Sequence, residues 1–351
     1  MISDKNKKSL TLKGALNYAL SLILTAIFLY IAFNGVDFKE VLHIVSDASV
    51  FWIIVFISIQ LLAHYLRALR WKIILRSTKP DTSVKYLFGA LMVGYGVNCV
   101  IPRLGEISRA ILVGKWEGLS RSSMLGTVIL ERVIDIIFLG LAVTISVIIW
   151  RGDLYLNFPW LESTLYISMI FVIIASTFLY LTIKFREKFY GIIVKSVGRF
   201  SENIAHKIAH IFSRLTTGFG SLKGRKNYLL TIALSCLLML MYGLGSYIGF
   251  FILGMQDIKH VNFEMGWVVM SISAIGVVIP TPGGTGSYHA LAKSTLVLLF
   301  GFGGTISLAY AFITHLISYS LAIFTALIVF FILNKQHENL LKLVKADLDE
   351  L

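Results

Sequence analysis

The chain contains 351 residues, of which 57% are hydrophobic and 15% are charged, and its mean hydropathy is +0.80. A soluble domain has roughly 45–50% apolar and about 25% charged residues, so these figures exclude a soluble globular protein and predict a polytopic membrane protein. The formal net charge is +13, but 27 of the 32 Lys and Arg residues fall in five polar stretches between apolar segments. This positive-inside bias indicates cytoplasmic loops, and no nucleic-acid partner is needed to explain the charge.

Six apolar segments are long enough to cross a hydrocarbon core of roughly 30 Å as helices, which takes about 20 residues each. These segments are residues 14–34, 50–66 running on toward Trp71, 124–150, 163–184, 227–253 and 304–333. With the basic stretches inside, both termini are cytoplasmic. The sequence predicts an all-α polytopic fold, with a cytoplasmic N-terminus at 1–13, a transmembrane domain at 14–333 and a cytoplasmic tail at 334–351.

Two further apolar regions are interrupted and are predicted to be re-entrant hairpins. The first runs from Tyr86 to Val113 with a break around Pro102, and the second runs from Glu264 to Gly301. The flanking charges place the ends of the first inside and those of the second outside. Two opposed hairpins and six spans give eight or more membrane helices, the layout of inverted-repeat transporters. The residues assigned to the two breaks are Asn98, Pro102, Gly105, Pro280, Pro282, Gly284 and Gly286.

These interruptions indicate a site, because broken backbone at membrane depth is tolerated only where protein or a water-filled cavity covers it. Two tilted short spans remain an alternative for the first region, and the PTPGG segment of the second could be a plain loop. The two halves show no residue-level repeat, so the inverted relation is one of topology alone.

Three ionisable residues, Glu131, Arg132 and Asp135, lie in an otherwise apolar segment beginning near Met124. Such groups normally face a cavity or pair with one another. Helical spacing places Glu131 and Asp135 on one face and brings Arg132 within reach of Asp135. Two interpretations stay open: a self-contained Arg132–Asp135 pair that holds this helix against the hairpin, or a substrate-binding role for Arg132.

Both hairpins carry polar residues suited to a lipid head group. Arg103 and Arg109 bracket Glu106, and a guanidinium offers a planar fork of donors for a phosphodiester. A helix starting after the bend would also direct backbone N–H groups at the anion. The alternative is that these arginines only anchor the cytoplasmic boundary. The second hairpin supplies a predicted polar lining or, alternatively, helix caps, and the residues concerned are Thr281, Gly283, Ser287 and His289.

The long connection at 185–226 is predicted to be cytoplasmic. Apolar residues recur at three- and four-residue steps over 185–219, which indicates an amphipathic helix on the inner leaflet or, alternatively, a spacer packed on the protein itself. His64 and His315 are assigned to packing. No Cys/His spacing for a metal and no nucleotide or hydrolase signature is present, so the sequence predicts no metal, no cofactor and no enzyme.

Three motifs in order, Asn98–Arg109, Leu130–Asp135 and Ile279–Gly286, resemble the flippase-like family typified by the membrane region of lysylphosphatidylglycerol synthase. The resemblance covers roughly residues 14–333 and implies a stand-alone member without the synthase domain. It implies a bacterial plasma-membrane protein that moves a phosphate-bearing lipid, such as an aminoacyl-phospholipid, a glycolipid or a polyprenyl-phosphate-linked lipid. A separately encoded lipid-modifying enzyme would be a partner. The alternatives are a membrane-embedded transferase or hydrolase, and an accessory subunit of glycolipid assembly.

Overall fold

The computed structural model describes residues 19–150, 154–198 and 202–334. Within these ranges the chain forms helices joined by turns, and no strand occurs. The predicted all-α class is therefore confirmed. The helices are α1 Ala19–Phe33, α2 Phe38–Ser46, α3 Val50–Leu75, α4 Val84–Val100, α5 Leu104–Trp116, α6 Arg121–Ile149, α7 Leu154–Asn157, α8 Trp160–Lys184, α9 Arg186–Gly198, α10 Glu202–Phe219, α11 Arg225–Ile252, α12 Met255–Ile258, α13 Phe263–Val278, α14 Ser287–Leu298 and α15 Gly304–Asn334.

Four helices, α3, α6, α11 and α15, are long and apolar enough to cross a membrane. Helices α1 and α2 together meet the same test but are bent by 81°, so they form either a broken span or a re-entrant loop. The predicted crossing at 163–184 falls in α8, which counts only as a shorter apolar helix over Trp160–Ile174. The protein is thus a multi-pass membrane protein with four or five candidate spans among the described residues. The predicted six crossings and eight or more membrane helices are not confirmed. The predicted terminal segments at 1–13 and 335–351 lie outside the described residues.

Both interrupted regions form pairs of packed helices, α4 with α5 and α13 with α14. The first break is three residues long, at 101–103, and contains Pro102 as predicted. Asn98 lies in the last turns of α4, and Gly105 lies in the first turn of α5, so both flank the break. The second break spans 279–286 and contains a 3₁₀ turn at Pro282–Gly284.

The tips of the two hairpins contact each other. Arg103 donates from Nη2 to the carbonyl of Val278 at 3.3 Å. Tyr319 of α15 donates its hydroxyl to the carbonyl of Cys99, at the end of α4, at 2.7 Å. A movement of one hairpin therefore acts directly on the other.

The helices on either side of the two breaks pack in the same pattern. α4 lies between α3 and α5 and α5 lies against α6, while α13 lies between α11 and α14 and α14 lies against α15. Each hairpin also crosses to the other half, because α4 packs on α15 and α13 packs on α6. Helices α3 and α11 form the central pair. Exchanging α3, α4, α5 and α6 with α11, α13, α14 and α15 thus preserves these contacts.

The connection at 185–219 contains two described helices, α9 and α10, and not one long helix. Its helices α9 and α10 fold back on each other, with the rings of Phe189 and Phe212 only 5.8 Å apart. In a continuous helix those residues would be about 35 Å apart. Helix α10 packs against α6, where Gly126 faces Gly218 at close backbone approach. Helix α10 therefore packs on the protein itself, and its contact with the inner leaflet stays a prediction.

Candidate functional site

A cluster of charged side chains lies between α3, α5 and α6. Its members, called the charge cluster below, are linked by salt bridges and contain four arginines and three carboxylates, which gives a formal charge of +1. Ionisable groups inside a membrane protein are costly unless they are paired, and they mark functional sites. The members are Arg67, Arg70, Glu106, Arg109, Glu131, Arg132 and Asp135.

Glu131 is the centre of the charge cluster and is fully buried. Its Oε1 accepts from Nε of Arg67 at 2.8 Å and from Nη2 of Arg70 at 3.0 Å, and its Oε2 lies 2.8 Å from Nη1 of Arg109. One carboxylate thus holds three arginines that come from two different helices.

Asp135 and Arg132 have different principal partners from those the sequence predicted. Asp135 contacts both Arg67 and Arg70, whereas Nη1 of Arg132 lies 3.7 Å from it. The closer partner of Arg132 is Glu106 on α5. The predicted self-contained Arg132–Asp135 pair is therefore wrong. Arg132 does hold α6 against the hairpin, but it does so through Glu106.

Sequence reasoning missed Arg67 and Arg70. The predicted span at 50–66 runs on toward Trp71, and residues 67–85 count among the basic cytoplasmic stretches, whereas α3 continues to Leu75 with Arg70 fully buried. Trp71 anchors this extension by donating from Nε1 to Oγ1 of Thr127 on α6 at 2.9 Å. The available signal was the apolar sequence that resumes after the arginines, which indicates a helix that has not ended.

The tip of the first hairpin is held by Asn98. Its Oδ1 accepts the N–H of Gly105 at 2.7 Å, and its Nδ2 donates to Glu106 at 3.2 Å. The backbone N–H of Gly105, at the start of α5, was expected to face an anion and is instead bonded to Asn98. Arg103 has a left-handed φ of 65°, the only positive value outside glycine in the described chain. It is exposed and points to Val278, so the structure does not bring it into the charge cluster.

A narrow cleft, too tight in this conformation to hold a water molecule, lies beside the charge cluster. Arg109 lines this cleft, is 3% exposed, and has Nε and Nη2 buried without a hydrogen-bond partner among the described residues. Its guanidinium lies over the Trp71 ring, 5.0 Å from the centroid. Buried unpaired donors are unfavourable unless a ligand takes them up. The cleft is lined by Leu91, Gly94, Tyr95, Asn98, Gly105, Glu106, Arg109 and Arg132.

The polar residues of the second hairpin are bonded within its own turn. Ser287 donates to the carbonyl of Gly276 at 2.7 Å and lies 3.1 Å from Oγ1 of Thr281. His289 accepts the N–H of Gly286 on Nδ1 at 3.2 Å. Thr281 and Ser287 therefore bond within the turn without capping a helix, so the predicted Thr and Ser caps are wrong, and only His289 accepts a backbone N–H at the start of α14. The structure does not bring these groups into the charge cluster.

A residue of α15 that sequence reasoning left out of the site contacts the turn of the second hairpin. His315 of α15 lies with Nε2 3.0 Å from the carbonyl of Gly283, and its ring centroid is 4.7 Å from that of His289. The two histidines are 26 residues apart on different helices, so no local pattern could pair them. Within the described residues, no group of three or more His, Cys, Asp or Glu is arranged to hold a metal ion.

Gly105 permits the close packing of the first hairpin, and its replacement by alanine tests that packing. A Cβ atom at Gly105 would collide with the carbonyl oxygen of Gly94 and lie 2.7 Å from the Asn98 side chain. We expect Gly105→Ala to lower the melting temperature of the protein in detergent. Gly140 is also helical and has nothing within 4 Å of its Cβ position, so Gly140→Ala is the matched control and should be neutral or stabilising. Equal melting temperatures for the two variants would contradict the described hairpin.

Comparisons with known proteins were made over the whole chain. The family model described as lysylphosphatidylglycerol synthase TM region matches residues 18–337. A UPF0104 membrane protein of Methanothermobacter thermautotrophicus is 24% identical over 325 residues, which cover 88% of this chain and 91% of the relative. A UPF0104 membrane protein of Methanocaldococcus jannaschii is 23% identical over 117 residues, 32% of this chain and 35% of that protein. No solved structure matches the chain.

Proposed function

Because the chain belongs to the family of lysylphosphatidylglycerol synthase transmembrane regions, we propose that it is a flippase-like transporter that moves a phosphate-bearing lipid between leaflets. The observation that carries this proposal is Arg109, which is buried beside a cleft with two unpaired donors. A cluster of net charge +1 at that place is neutralised by one negative charge. A phosphodiester supplies that charge and oxygen acceptors that match a guanidinium.

The described contacts assign separate tasks to the arginines. Arg67 and Arg70 pair with Glu131 and Asp135 and serve to position them. Nε of Arg70 is also buried without a partner among the described residues, but Arg70 does not line the cleft. Arg109 spends only Nη1 on Glu131, so its remaining donors are the ones available to the phosphate. Arg132 is partly exposed and pairs with Glu106 across the same cleft. It can turn from that carboxylate to an entering phosphate.

The outer surface of the first hairpin suits acyl chains. Leu104 and Ile107 flank Glu106 on α5 and are exposed, as are Val100 and Ile101 at the tip. Large exposed apolar side chains next to a buried charged cleft allow the head group to enter the protein while its chains stay in the bilayer. Rocking of the hairpins, whose tips already touch, would then expose the head group to the opposite leaflet.

The candidate lipids share a phosphate group and differ in the groups attached to it. Aminoacyl-phospholipids, glycolipids with a phosphate and polyprenyl-phosphate-linked lipids all present the group that Arg109 would bind. We place the protein in the cell's inner membrane with both termini in the cytoplasm, on the basis of the loop charges. A separate lipid-modifying enzyme would supply the substrate.

Purified protein in liposomes tests the proposed function. The liposomes would contain fluorescent short-chain phosphatidylglycerol, and albumin would extract the label present in the outer leaflet. We expect the protein to make the inner-leaflet label extractable, while mass spectrometry finds every lipid unchanged. A covalently altered lipid would instead show a membrane-embedded enzyme. If neither movement nor chemical change occurred with this lipid or a polyprenyl-phosphate analogue, the transport proposal would be wrong.

A further inference from the structure

The two hairpins place a pair of side chains at matching positions. Glu106 is the third residue of α5 and contacts Arg132, the twelfth residue of α6. His289 is the third residue of α14 and lies against His315, the twelfth residue of α15. Because the two halves share one packing pattern, the histidine pair occupies in the second half the position of the Glu106–Arg132 ion pair in the first. The first half thus has an ion pair, Glu106–Arg132, where the second half has two histidines that carry charge only after taking up a proton.

The two imidazoles bond to the turn of the second hairpin in opposite ways, His289 as an acceptor and His315 as a donor. His289 accepts from the N–H of Gly286 on Nδ1 at 3.2 Å. Nε2 of His315 lies 3.0 Å from the carbonyl oxygen of Gly283. That oxygen can only accept, so this nitrogen carries a proton. Both glycines have positive φ, 87° and 58°, so the shape of the turn depends on them.

A proton has different consequences on the two rings. On Nδ1 of His289 it removes the acceptor and sets a ring N–H against the backbone N–H of Gly286, so that bond breaks. On Nδ1 of His315 it leaves the bond to Gly283 intact. His289 is therefore the member of the pair whose protonation releases the turn.

The surroundings of His289 contain no group that would balance a positive charge. Its side chain is buried, and among the described residues of α1, α13, α14 and α15 the only carboxylate is Glu264, at the far end of α13. Lys293, one turn further on α14, donates to the carbonyls of Ala32 and Asn34. Protonated His289 is thus disfavoured in the described conformation, so uptake of a proton favours a conformation in which the turn has opened. The other titratable groups on these helices are Tyr30, Tyr288, Tyr310, His315 and Tyr319.

We propose that the His289–His315 pair is the proton-binding site of this transporter, and that a proton taken up on His289 releases the Gly286 turn and frees the second hairpin to move. This inference rests on the proposed transport function, to which it adds the coupling ion.

The pH dependence of transport tests this coupling. In the liposome assay with fluorescent phosphatidylglycerol, we expect wild-type translocation to rise at least about tenfold from pH 7.5 to pH 5.5, because the protonated fraction of a mostly neutral imidazole grows about tenfold for each unit by which the pH falls. His289→Gln keeps an oxygen that accepts from Gly286 but does not bind a proton. Its translocation should be slow and independent of pH. His260→Gln removes an exposed histidine and should behave as wild type.

Amide hydrogen exchange gives a readout that does not require transport. In the wild-type protein in phosphatidylglycerol nanodiscs, peptides covering 279–290 should exchange faster at pH 5.5 than at pH 7.5, after correction for the intrinsic pH dependence of exchange. In His289→Gln they should stay protected at both values, which also shows that the variant is folded. If the turn opened equally in both proteins, or in neither, the inference would be overturned, whatever the transport assay gives. Transport by wild type with an identical pH profile in His289→Gln would overturn it and leave the proposed function standing.

Discussion

Glu131→Gln is expected to unfold much of the protein, with the largest stability loss of any single change in the charge cluster. The substitution preserves side-chain shape but removes the carboxylate that holds Arg67, Arg70 and Arg109. Removing one partner from a buried ion pair costs about 3–5 kcal/mol. Three arginines share this partner, and Asp135 alone would then remain to neutralise Arg67 and Arg70. The measurement is the amount of monodisperse protein extracted from membranes, together with its melting temperature in detergent.

Glu40→Gln is the matched control for that change. Glu40 lies on α2, is exposed, and accepts only a long hydrogen bond of 3.3 Å from Thr305. It should be extracted at wild-type level, because exposed polar contacts contribute little to stability. A Glu131→Gln variant as abundant and as heat-stable as Glu40→Gln would mean that water already solvates the arginines. The description of Glu131 as the fully buried centre of the charge cluster would then be wrong.

Arg109→Lys is expected to give a folded protein with strongly reduced transport. Lysine preserves the positive charge beside Glu131, but its ammonium cannot reproduce the planar fork whose Nε and Nη2 are unpaired in the structure. A hydrogen bond to a charged group contributes about 1.5–3 kcal/mol, so translocation of labelled phosphatidylglycerol should fall roughly 10- to 100-fold. The initial rate in liposomes is the quantity to measure, at equal amounts of inserted protein.

The control for Arg109→Lys is Arg76→Lys. Arg76 directly follows α3 and is exposed, so the same chemical change should leave transport unaffected. The two variants should also have similar melting temperatures. Wild-type rates for Arg109→Lys would remove the bidentate contact from the mechanism, and an equal loss in both variants would attribute the effect to general arginine content.

Hydropathy and backbone-breaking residues predicted much of the fold. The spans α3, α6, α11 and α15 follow from apolar length, and prolines with glycines predicted that two further regions are interrupted. These features are local, because a helix must cover its own backbone hydrogen bonds in lipid. The length of the first break was not predictable in the same way. It depends on Asn98 accepting from Gly105 across the bend, which is a contact between helices.

The partners within the charge cluster depend on tertiary structure. A basic residue near the end of an apolar segment has the same sequence pattern whether it anchors the cytoplasmic boundary or is buried, so the positive-inside rule misassigned Arg67 and Arg70. Only the packing of α3 against α6 shows that they meet Glu131 and Asp135. Similarly, helical spacing correctly predicted that Arg132 lies near Asp135, but Glu106 on another helix is the closer partner of Arg132.

The most direct test of the central claim is an experimental structure of the protein in phosphatidylglycerol nanodiscs. If the cleft beside Arg109 is the head-group site, a lipid phosphate should lie within hydrogen-bond distance of Nε or Nη2 of Arg109. Its acyl chains should run along the exposed face of α5 near Leu104 and Ile107. A well-ordered map in which no lipid enters this cleft, while Arg109 bonds only to protein groups, would contradict the assignment of the charge cluster to lipid binding.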